Sequence, residues 1–231
     1  MFIEQLHQHI QSATLSPSHK WSEFLQRPFP HRKMESWKYT DVSFLNKTSF
    51  SVDIAFPYTQ IKVSDSGELV FSPSIQKAAP ANGVGYRIVC GEEKNPREIM
   101  PEIEGKPTVI SAEESYFSDL AKLSKPETIY IVMDSSWPQN QVLKFNFQAL
   151  SHEAMISNLN VCVVVPPNQK LMVEEVYSSP ACGVLNVNIE YVIGEGSAVC
   201  AIKADQSQES HLITSQKVKV AKNATYQMVH F

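Results

Sequence analysis

The spacing of apolar residues predicts two short helices at the start of the chain and a third near its middle. Four apolar residues of the first helix lie three or four positions apart: Ile3, Leu6, Ile10 and Ala13. A second helix is expected to begin at Ser16-Pro17, since serine caps free amides and proline fits the first turn, and to end before Pro28. Ser111 and Glu114 have the spacing of a capping box ahead of the third helix.

Beyond residue 57 the dominant period changes to two, which is the spacing of strands with one buried face. A hairpin is predicted around the turn Asp65-Ser66-Gly67, and prolines interrupt the stretch 73–107. After Pro126 strands are expected at 129–133, 143–147, 161–165, 171–173, 185–189, 198–202 and 211–215. We therefore expect an N-terminal helical domain over 1–56, a mixed α/β connecting region over 57–125 and a β core over 126–231.

A repeat is superimposed on the strands of this β core. Three segments share a β-branched residue, two variable positions and then Gly or Asn: Val165-Pro-Pro-Asn168, Ile193-Gly-Glu-Gly196 and Val220-Ala-Lys-Asn223. Gly and Asn tolerate left-handed backbone geometry, so the same tight turn is predicted three times, at spacings of 28 and 27 residues. This period is typical of a solenoid whose units pack on one another, although a β-sandwich with regular turns would give a similar pattern.

Composition narrows the class of partner. The net charge is −4, with 20 basic and 24 acidic residues scattered along the chain, so neither nucleic acid nor an anionic membrane is an expected partner. The first residues lack the features of a secretory signal, and no window approaches the roughly 18 apolar residues needed to span a bilayer. We expect a cytoplasmic protein with a real core, because 43% of the residues are hydrophobic.

The four cysteines are widely spaced, which argues against a zinc or Cys-x-x-Cys redox motif and favours reduced thiols. Cys162 and Cys200 lie in apolar strands, where core packing is favoured over the alternative of an iron or sulfur ligand facing a solenoid interior. Cys182 lies in a turn and is the candidate for an exposed reactive thiol. Only packing is expected of Cys90.

Histidines and paired carboxylates offer no clear catalytic centre. For His152, His211 and His230, beside predicted strands, and for His7, His9 and His19, near the N-terminus, structural roles are favoured over metal ligation. Three adjacent carboxylate pairs are expected to be solvated charges on opposite faces: Glu92-Glu93, Glu113-Glu114 and Glu174-Glu175. Since a phosphate-binding Gly-x-x-x-x-Gly-Lys loop is also lacking, we predict no catalytic residue and no ATP hydrolysis by this chain.

The run from Pro28 to Asp41 supplies a family resemblance. Its segment Glu35-Ser-Trp-Lys-Tyr-Thr-Asp41 resembles the N-terminal motif of the SufD family, the SufB-like subunits of the SUF iron–sulfur cluster assembly system. Two further segments, 191–198 and 209–216, are similar to core coils shared by SufD and SufB. Within the run, Glu35, Trp37, Lys38 and Tyr39 are expected to anchor the N-terminal segment, with a docking surface for a partner as the alternative.

The resemblance implies a small N-terminal helical domain and a right-handed parallel β-helix core. It also implies a non-catalytic scaffold that pairs with a SufB-like subunit, engages the ATPase SufC through C-terminal helices, and supplies ligands for an iron–sulfur cluster jointly with its partner. The chain has about half the length usual in this family, so the SufC-docking helices and late-core Cys and His positions are expected beyond Phe231. The segment from Thr225 stops in mid-alternation, so we expect either that a C-terminal part is missing or that a partner covers the last strand.

Two other functions fit parts of the pattern. A β-helix enzyme acting on carbohydrate would need several acidic or basic groups on one solenoid face and is commonly exported, whereas the predicted strands carry few acids and no signal is evident. A truncated product without function is the other alternative. Intact mass from native cells, compared with the length of the reading frame, would decide the latter.

Overall fold

A computed structural model describes residues 4, 8, 19–34, 41–47, 51–52, 61–63, 68–71, 85–92, 108–111, 116–124, 127–148, 155–178, 183–206 and 211–231. They contain helices α1 (His19–Leu25) and α2 (Tyr116–Ser124) and a 3-10 helix (Ser43–Asn46). The strands are β1 (Ser51–Val52), β2 (Ile61–Val63), β3 (Leu69–Phe71), β4 (Tyr86–Glu92), β5 (Thr108–Ser111), β6 (Glu127–Met133), β7 (Val142–Gln148), β8 (Met155–Val165), β9 (Lys170–Ser178), β10 (Val184–Ile193), β11 (Ala198–Asp205), β12 (His211–Val220) and β13 (Thr225–His230).

Consecutive strands from β6 onward alternate between two sheets. Sheet A has the order β4-β6-β8-β10-β12-β5, with β1 also paired to β8, and sheet B has the order β13-β11-β9-β7-β3-β2. The strands β6, β8, β10 and β12 pair in parallel, as do β7, β9, β11 and β13. Each pair from β6–β7 to β12–β13 is therefore one turn of a parallel β-solenoid, which confirms the predicted solenoid over a sandwich.

The corners between sheets A and B contain the turns predicted from the repeat. Asn168, Gly196 and Asn223 have φ angles of 60°, 69° and 58°, in the left-handed region that Gly and Asn tolerate best. The corners stack through backbone hydrogen bonds, because Asn168 N donates to Glu195 O at 2.8 Å and Gly196 N donates to Lys222 O at 3.0 Å. The backbone hydrogen bonds that join successive turns of the solenoid therefore continue through the corners.

Close packing of the corners explains a second glycine. A Cβ atom on Gly194 would lie 2.6 Å from the backbone nitrogen of Pro167 in the preceding turn. A backbone atom cannot move aside as a flexible side chain can, so this corner requires a residue without a Cβ atom.

The inner faces of the two sheets enclose the main hydrophobic core. Strands β8 and β10 contribute alternate residues to it: Leu159, Val161, Val163, Val165, Leu185, Val187, Ile189, Tyr191 and Ile193. Sheet B faces them with Leu143, Phe145 and Phe147 of β7, and the rings of Phe147 and Tyr177 stack at 4.9 Å between centroids. The alternation seen in the sequence corresponds to this inner face.

Strands β8 and β10 are also buried on their outer face, where the helices lie. A second core cluster joins Ile156 and Val184 to the helical part, and its other buried members are Trp21, Phe24, Val42, Leu45, Tyr116, Phe117 and Leu120. This cover buries the outer face of β8 at Ile156, whereas Cys162 and Val164 further along the strand lie in a separate apolar cluster on sheet A.

Asparagines on this outer face hold helix α2. Asn186 Nδ2 donates both to Asn158 Oδ1 at 2.7 Å and to the Phe117 carbonyl at 2.8 Å. One row further along the strands, Asn160 Nδ2 donates to the Ala121 carbonyl at 3.1 Å, and Asn160 Oδ1 accepts from Asn188 Nδ2 at 3.2 Å. These asparagines therefore position α2 against sheet A.

The remaining predicted elements have mixed outcomes. The hairpin is confirmed as antiparallel β2–β3, and it adds to sheet B beside β7. The capping box at Ser111 is wrong, because Ser111 belongs to β5 and pairs with Val218 of β12, while α2 begins at Tyr116. The first predicted helix lies outside the described residues except for Glu4 and Gln8, which are both helical.

Candidate functional site

A column of inward-facing residues on sheet B changes from apolar to charged. Phe145 of β7 is the register partner of Glu175 in β9, Glu175 is the partner of Lys203 in β11, and Lys203 is the partner of His230 in β13. Since parallel strands in register stack their side chains, these groups follow one another along the solenoid. Glu175 is 1% exposed and Lys203 is 6% exposed, whereas His230 is exposed.

The Glu175 carboxylate is held by two phenols. Its Oε2 atom accepts a hydrogen bond from the Tyr177 hydroxyl at 2.5 Å, and its Oε1 atom accepts one from the Tyr191 hydroxyl. Burial raises the pKa of both tyrosines well above the usual value, and the Glu175 charge raises it further. The phenols therefore remain donors at neutral pH and satisfy the buried carboxylate.

The Lys203 ammonium group lies beside the same residues. Its Nζ atom donates to Thr214 Oγ1 at 2.5 Å and lies 4.9 Å from the centroid of the Tyr177 ring. Burial lowers the pKa of Lys203, and the charges of Glu175 and Asp205 oppose that shift. An ammonium group stacked over an aromatic face is favourable when it is withdrawn from water.

Two further polar residues complete the group. Gln216 Nε2 donates to the Tyr226 hydroxyl, and the Tyr226 ring lies 5.2 Å from that of Tyr191. Burial raises the pKa of Tyr226, and the charge of Glu175 adds to the shift. We call the whole set the interior polar cluster: Glu175, Tyr177, Tyr191, Lys203, Thr214, Gln216 and Tyr226.

The interior polar cluster overturns one expectation from the sequence. Glu174 and Glu175 lie on opposite faces of β9 as predicted, and Glu174 is a surface charge 3.3 Å from Lys144 Nζ. Glu175, however, is buried and not solvated. The signal was present in the sequence, because Leu171, Val173 and Tyr177 share the period-two face of Glu175, which marks it as an inward position.

The cysteines do not belong to this cluster. Cys162 is buried in a separate apolar cluster with Tyr130, Val132, Val164 and Val192, so packing is confirmed and an inward-facing ligand role is wrong. Cys200 is half-buried and alternates with the inward residues Val199 and Ala201, which places it on the outer face of sheet B. Cys90 is exposed, contrary to the expectation of packing, because it lies on β4 at the margin of sheet A. Cys182 lies outside the described residues.

The predicted histidines do not converge either. The His211 ring stacks on Phe44 with 3.6 Å between centroids, and His230 ends β13. His7, His9 and His152 lie outside the described residues, and His19 is the first residue of α1. In the ranges that the structure describes, no group of three or more His, Cys, Asp or Glu side chains could hold a metal ion.

The sequence motif that carries the family resemblance is flanked by an ion pair. Arg32 Nη2 lies 3.2 Å from Asp41 Oδ2, and Asp41 Oδ1 accepts from the Ser43 amide at 2.9 Å. The backbone hydrogen bond from Ser43 is the main reason why the pKa of Asp41 is lowered. Glu35, Trp37, Lys38 and Tyr39 themselves lie outside the described residues.

Comparison with protein-family models and with curated proteins finds no match to this chain. Among the helices in the described part of the chain, none has the length and apolar character needed to cross a bilayer. The class that the structure defines is a mainly β protein built around a parallel β-solenoid, with a small helical part packed on one sheet.

Proposed function

We propose that this chain is a scaffold subunit for iron–sulfur cluster assembly of the SUF type, pairing with a SufB-like subunit and working with the SufC ATPase. The observation that carries the proposal is the SufD-like segment 35–41 in a chain whose core is a parallel β-solenoid. In this role the cluster is cargo that is built between subunits, and the chain itself catalyses no reaction.

The location of the other SufD-like segments supports the same function. Segment 191–198 covers the end of β10, the corner at Gly196 and the beginning of β11. Segment 209–216 includes the first residues of β12, whose register partners are the first residues of β10. The similarity to SufD and SufB coils therefore falls on elements that define one turn of the solenoid.

Co-expression with the cognate SufB-like and SufC proteins tests the proposal. Co-purification of the SufB-like subunit with the unmodified chain is expected, and its absence would rule out the function.

A further inference from the structure

We draw no further inference here: the strongest candidate, the apolar patch on the outer face of sheet B around Met172, Cys200 and Ile202, carries no proposal because nothing in the described part of the chain shows what would cover it.

Discussion

Replacement of Glu175 by glutamine is the most informative perturbation of the solenoid interior. The two side chains have nearly the same shape, so Glu175→Gln leaves no cavity and isolates the loss of charge and of one acceptor. The amide oxygen can accept from one of the two phenols, but the amide N–H₂ group faces the other donor. The substitution thus leaves Tyr177 or Tyr191 without its acceptor and removes the negative charge beside Lys203.

The size of the effect follows from these two losses. A buried donor left unpaired costs about 1–3 kcal/mol. Because Lys203 also loses the favourable charge of Glu175, we expect Glu175→Gln to lower the free energy of unfolding by about 3 kcal/mol, the upper end of that range. For a chain of this size the melting temperature should fall by roughly 6–12 °C.

Glu174 provides a matched control one residue away. Its carboxylate lies 3.3 Å from Lys144 Nζ, but the side chains of Lys144 and Glu174 are 52% and 37% exposed. Solvent screens such a pair, so Glu174→Gln should change stability by less than about 1 kcal/mol. Urea unfolding followed by tryptophan fluorescence at neutral pH measures both variants. If the two changes are equal, or if Glu175→Gln is the more stable protein, the buried carboxylate of Glu175 does not stabilise the solenoid.

Three further predictions concern the corners, the phenols and helix α2. Gly194→Ala should destabilise more than Gly196→Ala in denaturant unfolding, because its Cβ meets the Pro167 backbone whereas at Gly196 the main cost is the left-handed φ, about 1–2 kcal/mol. Tyr191→Phe should lower the free energy of unfolding at neutral pH by about 1–3 kcal/mol. The same substitution should make the free energy of unfolding fall less steeply as the pH is raised above neutral. Since the pKa of Tyr191 is raised in the folded state, the unfolded chain releases this proton first, and stability falls above about pH 10 by up to roughly 1.4 kcal/mol per pH unit. Asn186→Ala should accelerate hydrogen exchange in α2, because the bond to the Phe117 carbonyl is lost.

Each of these predictions has a result that would contradict it. Equal stability of the two alanine variants would show that the corners relax around a new Cβ. An unchanged alkaline slope in Tyr191→Phe would show that this phenol ionises as readily in the folded state as in the unfolded one. Unaltered exchange in α2 would show that the Asn160–Ala121 hydrogen bond and the apolar contacts of Phe117 and Leu120 are sufficient to hold the helix.

The repeat and the corners could be predicted because their causes are local. Positive φ strongly favours Gly and Asn for steric reasons within the dipeptide itself, so the turns at Asn168, Gly196 and Asn223 are visible in the sequence. The strands were predictable for the same reason, since period two reflects the direction of successive side chains. The capping box predicted at Ser111 was wrong because the same residue spacing also occurs by chance beside a strand such as β5.

The interior polar cluster depends on relations that no single segment contains. Glu175 and Lys203 are 28 residues apart and meet only because β9 and β11 pair in parallel with that offset. Thr214 reaches Lys203 from the opposite sheet. The sequence could mark Glu175 as inward from its apolar neighbours, but its phenol partners require the closed cross-section of the solenoid.

The sequence by itself determined the period of the chain, the three corners and the mainly β class, because each follows from the conformational preference of a few consecutive residues. The tertiary structure decided which faces are buried, since both the stacking of turns and the cover by α2 arise between distant segments. It also decided which charged groups are withdrawn from water. Glu174 and Glu175 are adjacent and have the same carboxylate side chain, but the register of β9 against β7 and β11 leaves Glu174 at the surface and places Glu175 in the core.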